Sequence, residues 1–145
     1  MFVVENAGDG SAAPLLAAWQ SHAARFGLHW PAPDIAVISA DGELDAANAG
    51  HLGDYVVRVA TQSRHLVLDL TGVEFFGTEG FSMLNTLNVR CAEAGACWAM
   101  VPSAAVNRVL RICDPQGGLS VVGTVDAALE RARGGRRRLL QLVTE

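Results

Sequence analysis

The most chemically suggestive residue in the sequence is a threonine in an open setting. Leu66 to Gly80 reads LVLDLTGVEFFGTEG: an apolar run, a loop, and a Gly-Thr-Glu-Gly step. Helical spacing resumes directly afterwards, so Thr78 stands where a hydroxyl can cap the free backbone N–H groups of a helix. Gly77 and Gly80 have no side chain to shield that hydroxyl. A phosphoryl group on Thr78 would face the positive helix end and its unsatisfied donors. It would add about −1.5 to −2 of charge to the surface the loop presents. Capping alone is the plainer use of the same side chain. Ser82, one turn on, is a second acceptor candidate whose plainer role is that of a solvated helix residue.

Other reactive side chains are less organised. Cys91, Cys97 and Cys113 form no CxxC pair, and an odd count makes a poor disulfide framework. Cys91 and Cys113 are expected on the apolar faces of neighbouring helices, where a thiol behaves as a small hydrophobe. Arg90 and Arg111 beside them keep a redox role open, since a sensor thiolate needs positive charge nearby. His22, His29, His51 and His65 show no metal-ligand spacing, so no metal site is expected. No Ser-His-Asp or Cys-His set is suggested, and no catalytic residue is assigned.

Charge narrows the field further. All eleven cations are Arg, and there is no lysine. That removes a P-loop, a Schiff base, kinase chemistry and the phospho-aspartate receiver, each of which needs a lysine. Residues 1–130 carry a net charge of −8 and residues 131–145 a net charge of +4. An acidic body argues against a nucleic-acid groove. The amino terminus lacks the cations of a signal peptide, and no apolar run approaches the ~18 residues of a membrane span. A cytoplasmic, reduced protein is expected.

The elements that must position Thr78 follow from apolar spacing. Ser11 and Pro14 suit the start of a helix carrying Leu15, Trp19, His22 or Ala23, and Phe26 on one stripe. Its stripe covers a sheet face or joins two subunits, so a homodimer is one use of it. Leu28–Trp30 and Ile35–Ser39 read as a hairpin around Pro31–Asp34. A helix follows from Asp45 as its cap, with Ala46, Ala49, Leu52, Tyr55, Val56 and Val59 on one face. His65–Leu70 is apolar at nearly every position, as in a strand covered on both sides, and a loop through Gly72 and Gly77 follows. Phe81, Leu84, Leu87 and Cys91 predict the next helix, Ala96–Val101 a strand, and Val106, Val109, Leu110 and Cys113 a third helix. Leu119–Val122 is read as a last strand and Asp126–Arg133 as a closing helix.

The order predicts an α/β single domain with a mixed sheet of four to five strands and helices mainly on one face. It divides into an N-terminal extension with a short helix (1–25), the domain itself (26–133) and an Arg-rich then apolar tail (134–145). A solvated helix end is the plainer reading of that tail; partner docking or contact with anionic lipid is the other.

Three pieces together resemble the STAS domain (sulfate transporter and anti-sigma factor antagonist), specifically bacterial anti-sigma factor antagonists. Gly42-Glu43-Leu44-Asp45 resembles the GELD step between second strand and first helix. Asp69-Leu70 through Val73, Phe76 and Gly80 resembles the strand and signature loop, whose usual ending is Asp-Ser-Ser/Thr-Gly. VPSAAVNRVLRI, around Pro102–Leu110, resembles the later strand and its helix. The likeness runs from about Phe26 to Ala132. It implies a switch rather than an enzyme, with no cofactor. The partner would be a kinase-like, ATP-using anti-sigma factor, from which a sigma factor is freed. It implies Thr78 as the phosphoacceptor and a contact surface of Gly42, Glu43, Asp45, Gly77, Thr78, Glu79, Gly80 and Phe81. The family's Asp before the acceptor is Gly77 here, and its second hydroxyl residue is Glu79, which repels a phosphoryl group or mimics one. Two alternatives follow: a STAS-like small-molecule-sensing module, or a non-phosphorylatable antagonist controlled by cysteine oxidation.

Overall fold

Alternation and turn chemistry build the sheet from its first hairpin. The computed structural model describes residues 24–144. Strand β1 (Ala24–Ala32) pairs antiparallel with β2 (Ile35–Leu44) across the Pro33-Asp34 turn. The Asp34 carbonyl accepts hydrogen bonds from Arg64 N–H (2.9 Å) and His65 N–H (3.0 Å), which sets the start of β3 (His65–Phe76) beside β2. Strand β4 (Cys97–Val101) completes the order β1-β2-β3-β4, with β2/β3 and β3/β4 parallel. Parallel neighbours need a crossover. Helix α1 (Ala49–Ala60) supplies the first and α2 (Thr78–Glu93) the second.

Helices α1, α2 and α3 (Ala104–Cys113) pack on one face of the sheet, using the predicted apolar stripes. Leu52, Val56 and Val59, then Leu84, Leu87 and Cys91, then Val106 and Leu110 all enter the larger core. The last helix, α4 (Val125–Thr144), lays Ala128 against Val37, Val67, Ala99 and Val101 on the opposite face. Central β2 and β3 are therefore buried from both sides, as their unbroken apolar runs require. Among the described residues, no helix is long and apolar enough to cross a membrane.

Several expectations are corrected. Phe26 is not helical: it lies in β1 opposite Ala40 and is fully buried, so strand pairing overrides a local helical spacing. The rest of the expected N-terminal helix lies outside the described residues. Strand β3 continues through the expected loop at Gly72 as far as Phe76. Leu119–Val122 is no strand; one bridge joins Val121 to Met100, through hydrogen bonds of 2.8 and 2.9 Å. Helix α4 runs on past Arg133 to Thr144. Cys113, the last residue of α3, is exposed rather than on its apolar face.

Candidate partner-binding loop

The GELD step and the Thr78 loop, separate in sequence, leave the sheet side by side. In the parallel register Gly42 faces Val73, Glu43 faces Phe75 and Leu44 faces Phe76. The Leu44 carbonyl then accepts the Gly77 N–H at 2.9 Å, which ties the two exits together. Gly42 sits at φ +101°, a conformation that favours glycine, just before this exit.

Asp45 does not cap α1. Its carboxylate accepts the Ala47 N–H at 2.9 Å in a local turn, and the helix begins only at Ala49. The reason is Asn48, 2% exposed, whose amide NH2 donates to the Glu43 carbonyl (2.8 Å) while its Oδ1 accepts the Asp45 N–H (2.9 Å). This asparagine locks the shape of the Glu43–Asp45 turn. Sequence reasoning missed it; the only signal was an amide three residues after Asp45, read as an ordinary helix position.

Thr78 does not cap α2 either. Gly77, extended at φ −84° and ψ 175°, occupies the N-cap position, and no side chain makes a capping hydrogen bond. The Gly77 N–H is held by β2, so the chain stays extended through Gly77 and turns helical at Thr78. Thr78 becomes the first helical residue and is exposed, beside exposed Glu79. The Glu79 carboxylate folds back, with Oε1 2.9 Å from where a methyl on Gly77 would lie. An acid in the first turn complements the helix dipole.

Gly80 does not keep the loop open as expected. It is buried, and a methyl there would lie 2.7 Å from Phe76 Cζ. Its role is to admit the Phe76 ring. Phe81 is half-buried against the core, and Ser82 is exposed one turn along α2. Of the predicted site residues, Glu43, Thr78, Glu79 and Ser82 are exposed at this end, together with Glu74 and Phe75, which sequence reasoning missed. Phe75 is 51% exposed. Glu43, Glu74 and Glu79 have no ion-pair partner among the described residues.

The cysteines stand apart from this loop. Cys91 lies in the last turns of α2, and burial pushes its thiol up to about 11, the opposite of an activated thiolate. Cys97 and Cys113 are exposed. Among the described residues, no three His, Cys, Asp or Glu side chains cluster as metal ligands.

A four-strand mixed sheet with crossover helices, and a hydroxyl exposed where a parallel strand passes into its helix, define a small α/β domain with its polar exits at one end. Residues 32–128 match the STAS domain family, and the chain belongs to it. It is 39% identical over 70 residues to osmosensory protein A of Mycobacterium tuberculosis, covering 48% of this chain and 44% of that protein. The chain thus spans less than half the length of that relative. It is 33% identical over 97 residues to the anti-sigma-F factor antagonist RsfA of the same organism, covering 64% of this chain and 76% of that one. The fold superposes with a TM-score of 0.67 on an anti-sigma factor antagonist from Mycobacterium paratuberculosis, at 23% identity, over 76% of this chain and 94% of that one.

Proposed function

We propose that this chain is a cytoplasmic anti-sigma factor antagonist: it binds an anti-sigma factor through the end of the sheet that carries Glu43, Asp45 and Thr78, and so frees a sigma factor for transcription. It acts as a switch and not as an enzyme. The observation that carries this reading is the Thr78 hydroxyl, exposed at the first position of α2 and not used as a cap. The relatives named anti-sigma-F factor antagonist support the class of partner. In the switching step a kinase-type anti-sigma factor transfers the γ-phosphoryl group of ATP to Thr78 Oγ1, the hydroxyl proton is lost, and ADP leaves. The new charge, about −1.5 to −2, joins a surface already bearing Glu43 and Glu79. Buried in an interface without a partner, it weakens the complex.

A pull-down from native cytosol, followed by binding measurements with the purified anti-sigma factor, tests this reading. Wild type and Thr78→Ala bind alike, only wild type accepts phosphate, and Thr78→Glu binds at least tenfold more weakly. Equal binding by all three removes the phospho-switch. Recovery of no anti-sigma factor removes the antagonist reading and favours a small-molecule sensor. For a sensor the structure offers an open groove of about 200 Å³ between α4 and the first residues of β3 and β4, lined by His65, Cys97 and Arg131. A second, shallower depression of about 320 Å³ beside Ser63, Arg64 and Gly95 is mostly polar; neither is the enclosed, apolar pocket usual for ligand sites, so the partner reading is preferred.

A further inference from the structure

Strand β3 ends in two adjacent phenylalanines with opposite fates: Phe76 is 5% exposed and Phe75 is 51% exposed. Simple alternation predicts the reverse. Val73 is buried, so Phe75 two residues on should share its face and Phe76 should turn out. The register explains the exchange. Between the pairs Gly42–Val73 and Glu43–Phe75, β3 spends two residues against one of β2, and Glu74 is the extra one. This bulge rotates the end of the strand, sending Phe76 into the core against Gly80 and Phe75 out. The Phe75 ring then stands beside the switch loop, its Cε2 3.6 Å from where a methyl on Gly77 would lie.

The other large apolar residues exposed among the described ones are Val89 on α2, Ile112 near the end of α3, and Val121. Such scattered residues are ordinary on a protein surface. Phe75 differs because a bulge turns it outward at the point where Glu43, Gly77 and Thr78 meet. Its surroundings are acidic: Glu43 is its cross-strand partner, Glu74 precedes it, and Glu79 folds over Gly77. None of these carboxylates has a cationic partner among the described residues.

We propose, on the footing of the antagonist reading above, that Phe75 is the apolar anchor of the partner interface, and that it docks into an apolar recess ringed by Arg or Lys on the anti-sigma factor. A single aromatic inside a polar rim is the usual form of an energetic centre in a protein interface. The rim carboxylates select a basic face and speed encounter; the ring sets how long the complex lasts. Thr78 lies at the edge of the anchor, so a phosphoryl group there adds charge to the most desolvated part of the contact. The anchor and the switch are then one site, and phosphorylation acts by displacing the ring.

The test uses the full chain and the purified anti-sigma factor, with association and dissociation followed by surface plasmon resonance at two salt concentrations. Phe75→Ala is expected to bind at least thirtyfold more weakly, mainly through faster dissociation, with an unchanged melting temperature because the ring is half exposed. Phe75→Leu recovers part of the loss. Glu43→Gln slows association less than tenfold and flattens the salt dependence. If wild type binds but Phe75→Ala stays within threefold of it, the anchor is wrong and the antagonist reading stands. Loss of self-association by Phe75→Ala with unchanged partner binding equally overturns the anchor, in favour of a second copy on that face. If wild type binds no anti-sigma factor, the antagonist reading fails and takes the anchor with it.

Discussion

Helices α2 and α3 start from almost the same backbone and use it differently. Ser103, at φ −86° and ψ 177°, is the N-cap of α3, and its hydroxyl accepts the Val106 N–H at 3.2 Å. Gly77, at φ −84° and ψ 175°, is the N-cap of α2 and has no side chain to offer. At α3 the hydroxyl is spent on the helix. At α2 it is moved one residue along, to Thr78, where the helix makes no use of it. A capping slot left to glycine, with a hydroxyl just beyond it, is how one helix start stays stable while the next keeps its oxygen free. Part of the difference at α2 is made up by Glu79, an acid in the first turn.

The largest effect on stability is expected at the glycine that seats α2. Gly80→Ala places a methyl against the buried Phe76 ring, an overpacking cost of about 1–3 kcal/mol. The gain in helix propensity recovers up to about 1 kcal/mol. A net loss of about 1–2 kcal/mol should appear as a lower urea midpoint. No loss would mean that Phe76 is free to move and that the α2 start is not held by it.

Next comes the cap itself. Ser103→Ala removes the Val106 bond, and the loss expected in the same urea titration is about 1 kcal/mol. A loss below a few tenths would erase the contrast between the two starts.

The two starts also differ in how readable they are from sequence. Ser103 follows Pro102 and precedes a clean apolar stripe, so the signals for its cap are all local, although sequence reasoning assigned the helix and not the cap. The α2 start is decided by a non-local bond, from Gly77 N–H to the Leu44 carbonyl thirty-odd residues away. Nothing near Thr78 reveals that bond, and the cap was therefore expected one residue too late. The same limit hid Phe75: a Phe-Phe pair reads alike in either orientation, and only pairing with β2 shows that Glu74 is the extra residue. Asn48 was hidden because its two partners belong to a turn that forms only once β2 leaves the sheet. By contrast, the helical stripes and the apolar runs of β2 and β3 were legible, because burial imposes a period directly on the residues. The STAS resemblance put the GELD step and the Thr78 loop on one contact surface, and the parallel register shows them leaving the sheet together.

A smaller effect is expected from the charge that partly substitutes for a cap. Glu79→Gln removes the acid at the positive end of α2, costing about 0.3–1 kcal/mol at low ionic strength and less in high salt. On the phospho-switch proposed above, the same change also removes a repulsion on the incoming phosphoryl group, so the rate of Thr78 phosphorylation should rise. Stability that ignores salt, or a phosphorylation rate that does not change, would mean that the Glu79 side chain points away from the helix end.

The smallest effect belongs to Thr78. Its side chain is exposed, caps nothing, and sits at a helical position where alanine is the better helix former. Thr78→Ala should therefore shift stability by no more than about 0.5 kcal/mol, in either direction. Ser103→Ala, made in parallel, supplies the scale against which that shift is judged. A loss as large as that at Ser103 would mean that the hydroxyl does cap α2 in solution. A phosphoryl group would then have to displace a structural bond before it could act on a partner. A near-neutral result, together with loss of phosphate incorporation in the same variant, fits a hydroxyl kept for chemistry at the surface rather than for the stability of the helix that carries it.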